Sequence, residues 1–261
     1  MARKDCPLCE GTGWRPVETD GVRRVTRCDC HETARAESLL KQARIPPRYE
    51  HCTLENFDVL KDKESGRPNR FLERAKLYAQ KFVEEYPTDF GLLFVGPTGV
   101  GKTHLAVAVL RELALRKGIE CLFYDSQTLL KAIRDSWNQD SRTSELRLLQ
   151  PIADVEVLLL DELSAMNPTD WVKETLAYII NSRYNQKQVT LITTTLSATD
   201  RPRGREGRAP SGETLPDIET SLNQLGGTLR SRLYEMCKVV EMYSDDFRRV
   251  IKQAAHTFHV E

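Results

Sequence analysis

Gly96-Pro97-Thr98-Gly99-Val100-Gly101-Lys102-Thr103 fits the pattern G-x-x-x-x-G-K-[ST] at every position. An apolar run, Leu92–Val95, leads into it, and a helical apolar pattern leaves it from Thr103. The glycines let the chain curl so that successive backbone N–H groups converge on an anion at a helix N-terminus. Lys102 then reaches the β- and γ-phosphates of a nucleoside triphosphate, and the Thr103 hydroxyl takes one position on Mg2+. These eight residues predict a P-loop and, with it, an α/β fold.

Working outward, short apolar runs alternate with amphipathic segments through the second half of the chain. Leu92–Val95 precedes a helical pattern at 103–117, and Ile119–Tyr124 precedes one at 127–137. Val155–Leu160 precedes 170–184, Val189–Thr195 precedes 228–236, and Lys238–Met242 precedes 245–256. Such alternation predicts a doubly wound parallel sheet covered on both faces. The stretch 201–227, rich in Arg, Gly, Pro and Ser, breaks the rhythm and reads as a long loop. A carboxylate is needed at the end of a buried strand, and Val157-Leu158-Leu159-Leu160-Asp161-Glu162 supplies two. Asp161 is expected to hold Mg2+ and Glu162 to accept a proton from attacking water, which predicts hydrolysis rather than passive binding.

The remainder of the chain has another character. Of seven cysteines, Cys6, Cys9, Cys28 and Cys30 fall within the first thirty residues. The spacing C-x2-C, eighteen residues, C-x-C suits four thiolates around tetrahedral Zn2+, with His31 as the alternative to Cys30. The 261 residues therefore divide into a zinc-binding module at 1–35, a helical linker at 36–89 and an ATPase core at 90–261. Two helical patterns, 31–44 and 71–86, flank a proline stop at Pro46-Pro47 and a charged loop at 61–70. Thirty-eight basic residues balance thirty-eight acidic ones, so any nucleic-acid contact must come from local patches. The longest apolar run is six residues, Leu105–Leu110, too short to span a bilayer, and no secretory h-region follows Met1; a cytoplasmic protein is expected.

From about residue 40 onward the chain resembles the AAA+ family, and within it the DnaC/DnaI-type helicase loaders and the IstB transposition helpers. The resemblance rests on Ile45-Pro46-Pro47-Arg48-Tyr49, Thr53-Leu54-Glu55-Asn56-Phe57, the P-loop, Asp161-Glu162 and Ser231-Arg232-Leu233-Tyr234-Glu235. It implies that Arg232, with Arg230 as alternative, is an arginine finger inserted into a neighbouring subunit's ATP site. It also implies that Thr195 stands where the family usually has the sensor 1 Asn, which shortens the reach toward water and slows hydrolysis. An AAA+ core without a helical lid is expected, its ATP site shared across a homo-oligomer.

The same resemblance implies a function: an ATP-dependent replicative helicase loader, weakly active alone and stimulated by DNA or its partner. Its zinc head would contact a DnaB-family helicase. The region after the second core strand, with Lys131, Arg134, Trp137, Arg142 and Arg147, would line a path for single-stranded DNA. The basic run Arg201–Arg208 is a second candidate for phosphate contact. The alternatives are an IstB-like transposition helper and a zinc-binding scaffold that ATP switches without hydrolysis.

Overall fold

The cysteine-rich head opens with an antiparallel hairpin, β1 (Trp14–Thr19) and β2 (Val22–Arg27), and runs into α1 (Asp29–Gln42). The computed structural model describes residues 5–19, 21–62, 65–137, 142–163, 169–195 and 226–252. The expected boundary at residue 35 falls inside α1, whose C-terminal end is seated in the body. Leu39 and Ala43 join the main apolar cluster, and Phe123 N–H donates to the Ala43 carbonyl at 2.8 Å. The hairpin carries no apolar alternation that marks it in sequence, since every described β2 side chain except Thr26 is exposed.

After a 3-10 turn at Pro47–Tyr49, the linker forms α2 (Arg70–Glu85), whose Asn69 side chain accepts from the N–H groups of Phe71 and Leu72. The core then follows as β3 (Gly91–Gly96), α3 (Lys102–Glu112), β4 (Cys121–Asp125), α4 (Ser126–Trp137) and α5 (Arg142–Asp154). It continues with β5 (Val157–Asp161), α6 (Asp170–Asn185), β6 (Val189–Thr195), α7 (Gly227–Met236) and β7 (Cys237–Glu241). The five strands are all parallel, in the order β4-β5-β6-β3-β7.

Alternation along each strand divides the core between the two faces of the sheet. Leu92, Phe94, Leu159 and Leu191 pack with α2 and α3, while Leu93, Val95, Leu158 and Ile192 pack with α4 to α7. Each buried Leu or Phe contributes roughly 1.5–3 kcal/mol, so this sheet carries the body's stability.

Two expectations are corrected. The sequence gives no separate helix between α4 and β5, yet α5 occupies that stretch; Pro151 sits inside it, where proline normally signals a stop. Conversely, a helix was expected over 245–256, but residues 242–246 are non-helical and Arg248–Lys252 forms a short π-helical turn, with the residues after 252 outside the described set. The basic run Arg201–Arg208 also lies outside the described residues.

Candidate functional site

β3 lies beside β6, and β6 beside β5, so the P-loop and the Asp161 carboxylate stand one strand apart at the same end of the sheet. The loop turns through left-handed backbone at Gly99 and Gly101, φ +83° and +94°. At Gly101 a side chain is excluded twice, because an added Cβ would lie 2.6 Å from the Phe57 ring. Phe57 belongs to a self-bonded turn. Thr53 N–H donates to Asn56 Oδ1 at 2.9 Å, and Asn56 N–H donates to Thr53 Oγ1 at 3.1 Å. His104 Nε2, 3.0 Å from the Thr53 carbonyl and 2.9 Å from Asn56 Oδ1, faces two acceptors and so carries its proton there, pinning the turn to α3. Burial holds His104 below the usual imidazole range.

Lys102 is buried and curls over the loop, its Nζ donating to the carbonyls of Gly96 and Pro97 at 2.9 Å each. Burial lowers its pKa, opposed by the nearby Glu162 and Asp161. Thr103 Oγ1 donates to Asp161 Oδ1 at 2.8 Å. Burial raises the Asp161 carboxyl above the usual range, against the two hydroxyls that donate to it.

The second hydroxyl is one that the sequence reading missed. Thr193 donates to Asp161 Oδ1 at 2.6 Å and accepts from the Glu162 N–H at 2.8 Å. It thereby holds Glu162 in a left-handed backbone conformation, φ +55°, which costs a non-glycine residue of order 1–3 kcal/mol. Period-two alternation was the available signal: Thr193 and Thr195 point to the same side of β6.

Lys102, Thr103 and Glu162 border one cavity of about 560 Å3, and Asp161 and Thr193 are hydrogen-bonded to the last two. Thr98 to Thr103 form its floor, with Glu162 and Thr195 at one end. The N-terminal segment supplies a second wall through Tyr49, Cys52, Asn56 and Phe57, and Ser244, Asp245, Phe247 and Arg248 supply a third. Phe247 N–H donates to the Gly99 carbonyl at 3.1 Å, so the chain after β7 rests on the loop. Size, basic floor and a carboxylate end suit a nucleoside triphosphate with a divalent cation, which Thr103 and Asp161 can hold.

Neither Arg232 nor Arg230 borders that cavity. Arg232 lies on α7 against α6, where Nη1 donates to Asn181 Oδ1 and the guanidinium sits 5.3 Å from the centre of the Tyr184 ring. Tyr184 in turn donates its hydroxyl to the Glu235 carboxylate at 3.0 Å. Lys131 and Arg134 are exposed on α4; Trp137, Arg142 and Arg147 lie in α4 and α5, with their side chains outside the described set.

In the head, the Sγ atoms of Cys6, Cys9, Cys28 and Cys30 all lie within 4.8 Å of one another. Cys6 and Cys28 stand 3.7 Å apart, and Cys9 and Cys30 3.4 Å. Tetrahedral Zn2+ with Zn–S bonds near 2.3 Å needs sulfurs about 3.8 Å apart, so the donor set fits. The four thiols are free of disulfides, and His31 is not part of the cluster. Among the described residues, no helix is long and apolar enough to cross a membrane.

Comparison with known proteins adds a family. A family model described as IstB-like ATP binding protein matches residues 26–201, about two thirds of the chain. The replicative helicase loader DnaC of Escherichia coli strain K12 is 30% identical over 147 residues, 56% of this chain and 56% of its own length. This chain thus spans little more than half of that relative. The crystal structure of the DnaC helicase loader superposes with a TM-score of 0.61 at 30% identity, covering 76% of this chain and 100% of that one. AMPPCP-bound DnaA from Aquifex aeolicus matches in fold, with a TM-score of 0.57 at 18% identity over 84% of this chain and 58% of the other.

Proposed function

This chain belongs to the IstB-like ATP-binding family and has the P-loop AAA+ fold, and from that premise we propose that it is an ATPase that loads a replicative helicase during DNA replication. The observation that carries the ATPase half is the hydroxyl-linked set Thr103, Asp161, Thr193 and Glu162, of which Thr103 and Glu162 border the P-loop cavity. The helicase-loading half is supported by likeness to the DnaC loaders.

In this reading the N–H groups of residues 98–103 surround the phosphates, and Lys102 exchanges its loop carbonyls for β- and γ-phosphoryl oxygens. Thr103 and Asp161 hold Mg2+, which neutralises charge on the phosphates. Glu162 takes the proton of the attacking water, and Thr195 orients that water with a single hydroxyl. Arg232 acts in a second copy of the chain, stabilising charge on the γ-phosphoryl group. Neither it nor Arg230 borders its own chain's cavity, which supports action from a neighbouring copy. A zinc ion held by Cys6, Cys9, Cys28 and Cys30 stabilises the head for contact with a DnaB-family hexamer. The oligomer grips single-stranded DNA along α4 and α5, and its ATPase is weak until DNA or the helicase is present.

The test is steady-state ATP hydrolysis with and without single-stranded DNA, together with co-sedimentation with a purified DnaB-family helicase. Lys102→Ala should lose ATP binding, whereas Glu162→Gln should bind ATP and hydrolyse far more slowly. Equal loss of binding in both variants would remove Glu162 as the base. Transposase-dependent stimulation without helicase binding would favour a transposition helper instead.

A further inference from the structure

In an antiparallel pair, residues directly opposite share a face. The register Trp14↔Arg27, Pro16↔Val25 and Glu18↔Arg23 therefore puts Trp14, Pro16, Glu18, Arg23, Val25 and Arg27 together on one side of the β1–β2 ribbon. That side is open: Trp14 is 53% exposed and Val25 68%. The Arg27 guanidinium stands 6.0 Å from the centre of the Trp14 ring. Among the described residues, none of Arg23, Arg24 and Arg27 has a carboxylate within ion-pair distance, in contrast to Arg15, which meets Asp29 at 3.2 Å on the opposite side.

We propose that this face binds single-stranded nucleic acid, with Trp14 stacking a base and Arg23 and Arg27 following the backbone phosphates. Three cross-strand pairs make a strip about 5 Å wide and about 14 Å long. A stable protein interface needs about 800 Å2 on each partner, well beyond such a strip. One or two unstacked nucleotides fit it, because an aromatic platform and flanking cations are sufficient for them. A duplex keeps its bases stacked on each other and offers Trp14 only edges. In a chain whose formal charge is zero, Arg23 and Arg27 outnumber Glu18 on the described face, and this local positive excess attracts phosphate. Arginine also suits both parts of the task, since its planar fork pairs with phosphate and stacks on rings.

The face works without ATP, so it is tested apart from the ATPase reading, on the nucleotide-free full chain. The probe is a fluorescein-labelled 20-mer of oligodeoxythymidine, followed by anisotropy at several salt concentrations. Trp14→Ala should weaken binding by roughly 5- to 150-fold, and Trp14→Phe should restore most of it. Arg23→Ala combined with Arg27→Ala should reduce the slope of log affinity against log salt by about 1.4. Unchanged circular dichroism and unchanged protection of the four clustered thiols verify that the head is folded in each variant. Three results overturn the proposal: no nucleotide-independent binding, wild-type affinity in these variants, or tighter binding to a duplex of the same length. Loss of helicase binding with oligonucleotide affinity intact would make this a protein-docking face and also overturn it.

Discussion

Among the described residues before α1, the buried side chains are Cys6, Cys9 and Cys28, while the ribbon around them faces solvent. In the body, both faces of a five-stranded sheet are packed, and Leu93, Phe94, Leu158, Leu159 and Leu191 have no exposed surface. The head therefore has a cluster of four sulfurs where the body has an apolar core removed from water. A perturbation of one should leave the other standing.

The largest effect should come from the metal. Structural zinc contributes about 10–16 kcal/mol in small domains, more than a head without an apolar core can replace. Purified protein should carry one zinc per chain by elemental analysis. Cys6→Ser or Cys28→Ser should abolish hydrogen-exchange protection in the ribbon while β3 stays protected and ATP binding persists. Absence of zinc, with all four thiols freely reactive, would break the comparison.

The matching perturbation of the body is at Arg183, which is fully buried on α6 and lowered to about 10 by burial. It donates to the carbonyls of Ile152 at 3.0 Å, Val155 at 2.8 Å and Val189 at 2.5 Å, and to Thr190 Oγ1 at 3.0 Å. It ties the end of α5 to the starts of β5 and β6. Arg183→Met should cost roughly 3–5 kcal/mol in denaturant titration, since several buried carbonyls lose their donor at once. Zinc content should be unchanged. Arg183→Lys should rescue little, having one point of donation in place of a fork.

Smaller still is the effect expected at Thr193. Thr193→Val removes the hydroxyl that serves both Asp161 and the Glu162 N–H, and should lower kcat by about 10- to 100-fold, as for other residues that orient a metal ligand. Thr193→Ser should recover most of the rate; a loss of fold in Thr193→Val would instead appear in circular dichroism.

How much of this was legible follows from the same contrast. Hydrophobic burial writes itself into sequence as runs such as Leu158-Leu159-Leu160, so strands and sheet class could be read directly. The P-loop and Asp161-Glu162 were legible because phosphate chemistry restricts residue type. The ribbon was not, since with a cysteine cluster below it and solvent above, Trp14 to Arg27 need no alternation. The α5 helix was obscured by Pro151, which α5 accommodates in its last turn. Thr193 and Arg183 were hidden for another reason: their roles depend on register between strands and on helix-end carbonyls, which no local pattern encodes. The lining from Tyr49 to Phe57 was quoted only as a family likeness, although its self-bonded Thr53–Asn56 turn had the spacing of a capping motif.

The smallest effect expected is alkaline. Burial pushes the Cys237 thiol up to about 12, from an ordinary value of 9.0. The folded value exceeds the unfolded one, so this stabilisation is complete below about pH 9 and is lost as pH rises toward 12. The slope should be about 1.4 kcal/mol per pH unit for that thiol. Stability measured by urea titration at pH 8 and 10 should fall less in Cys237→Ala than in the wild-type chain.

The central claim is an ATP site completed by a second copy of the chain, and mixing two inactive variants tests it most directly. Arg232→Ala retains the P-loop and should bind ATP while hydrolysing it about 10^3- to 10^5-fold more slowly. Lys102→Ala loses ATP binding but keeps Arg232. Combined, the two should regain part of the wild-type rate, because a mixed interface joins one intact loop to one intact guanidinium. The same mixture made with Arg230→Ala tests the neighbouring arginine. If the subunits co-assemble by sedimentation and no mixture containing Arg232→Ala recovers activity, the shared site is contradicted.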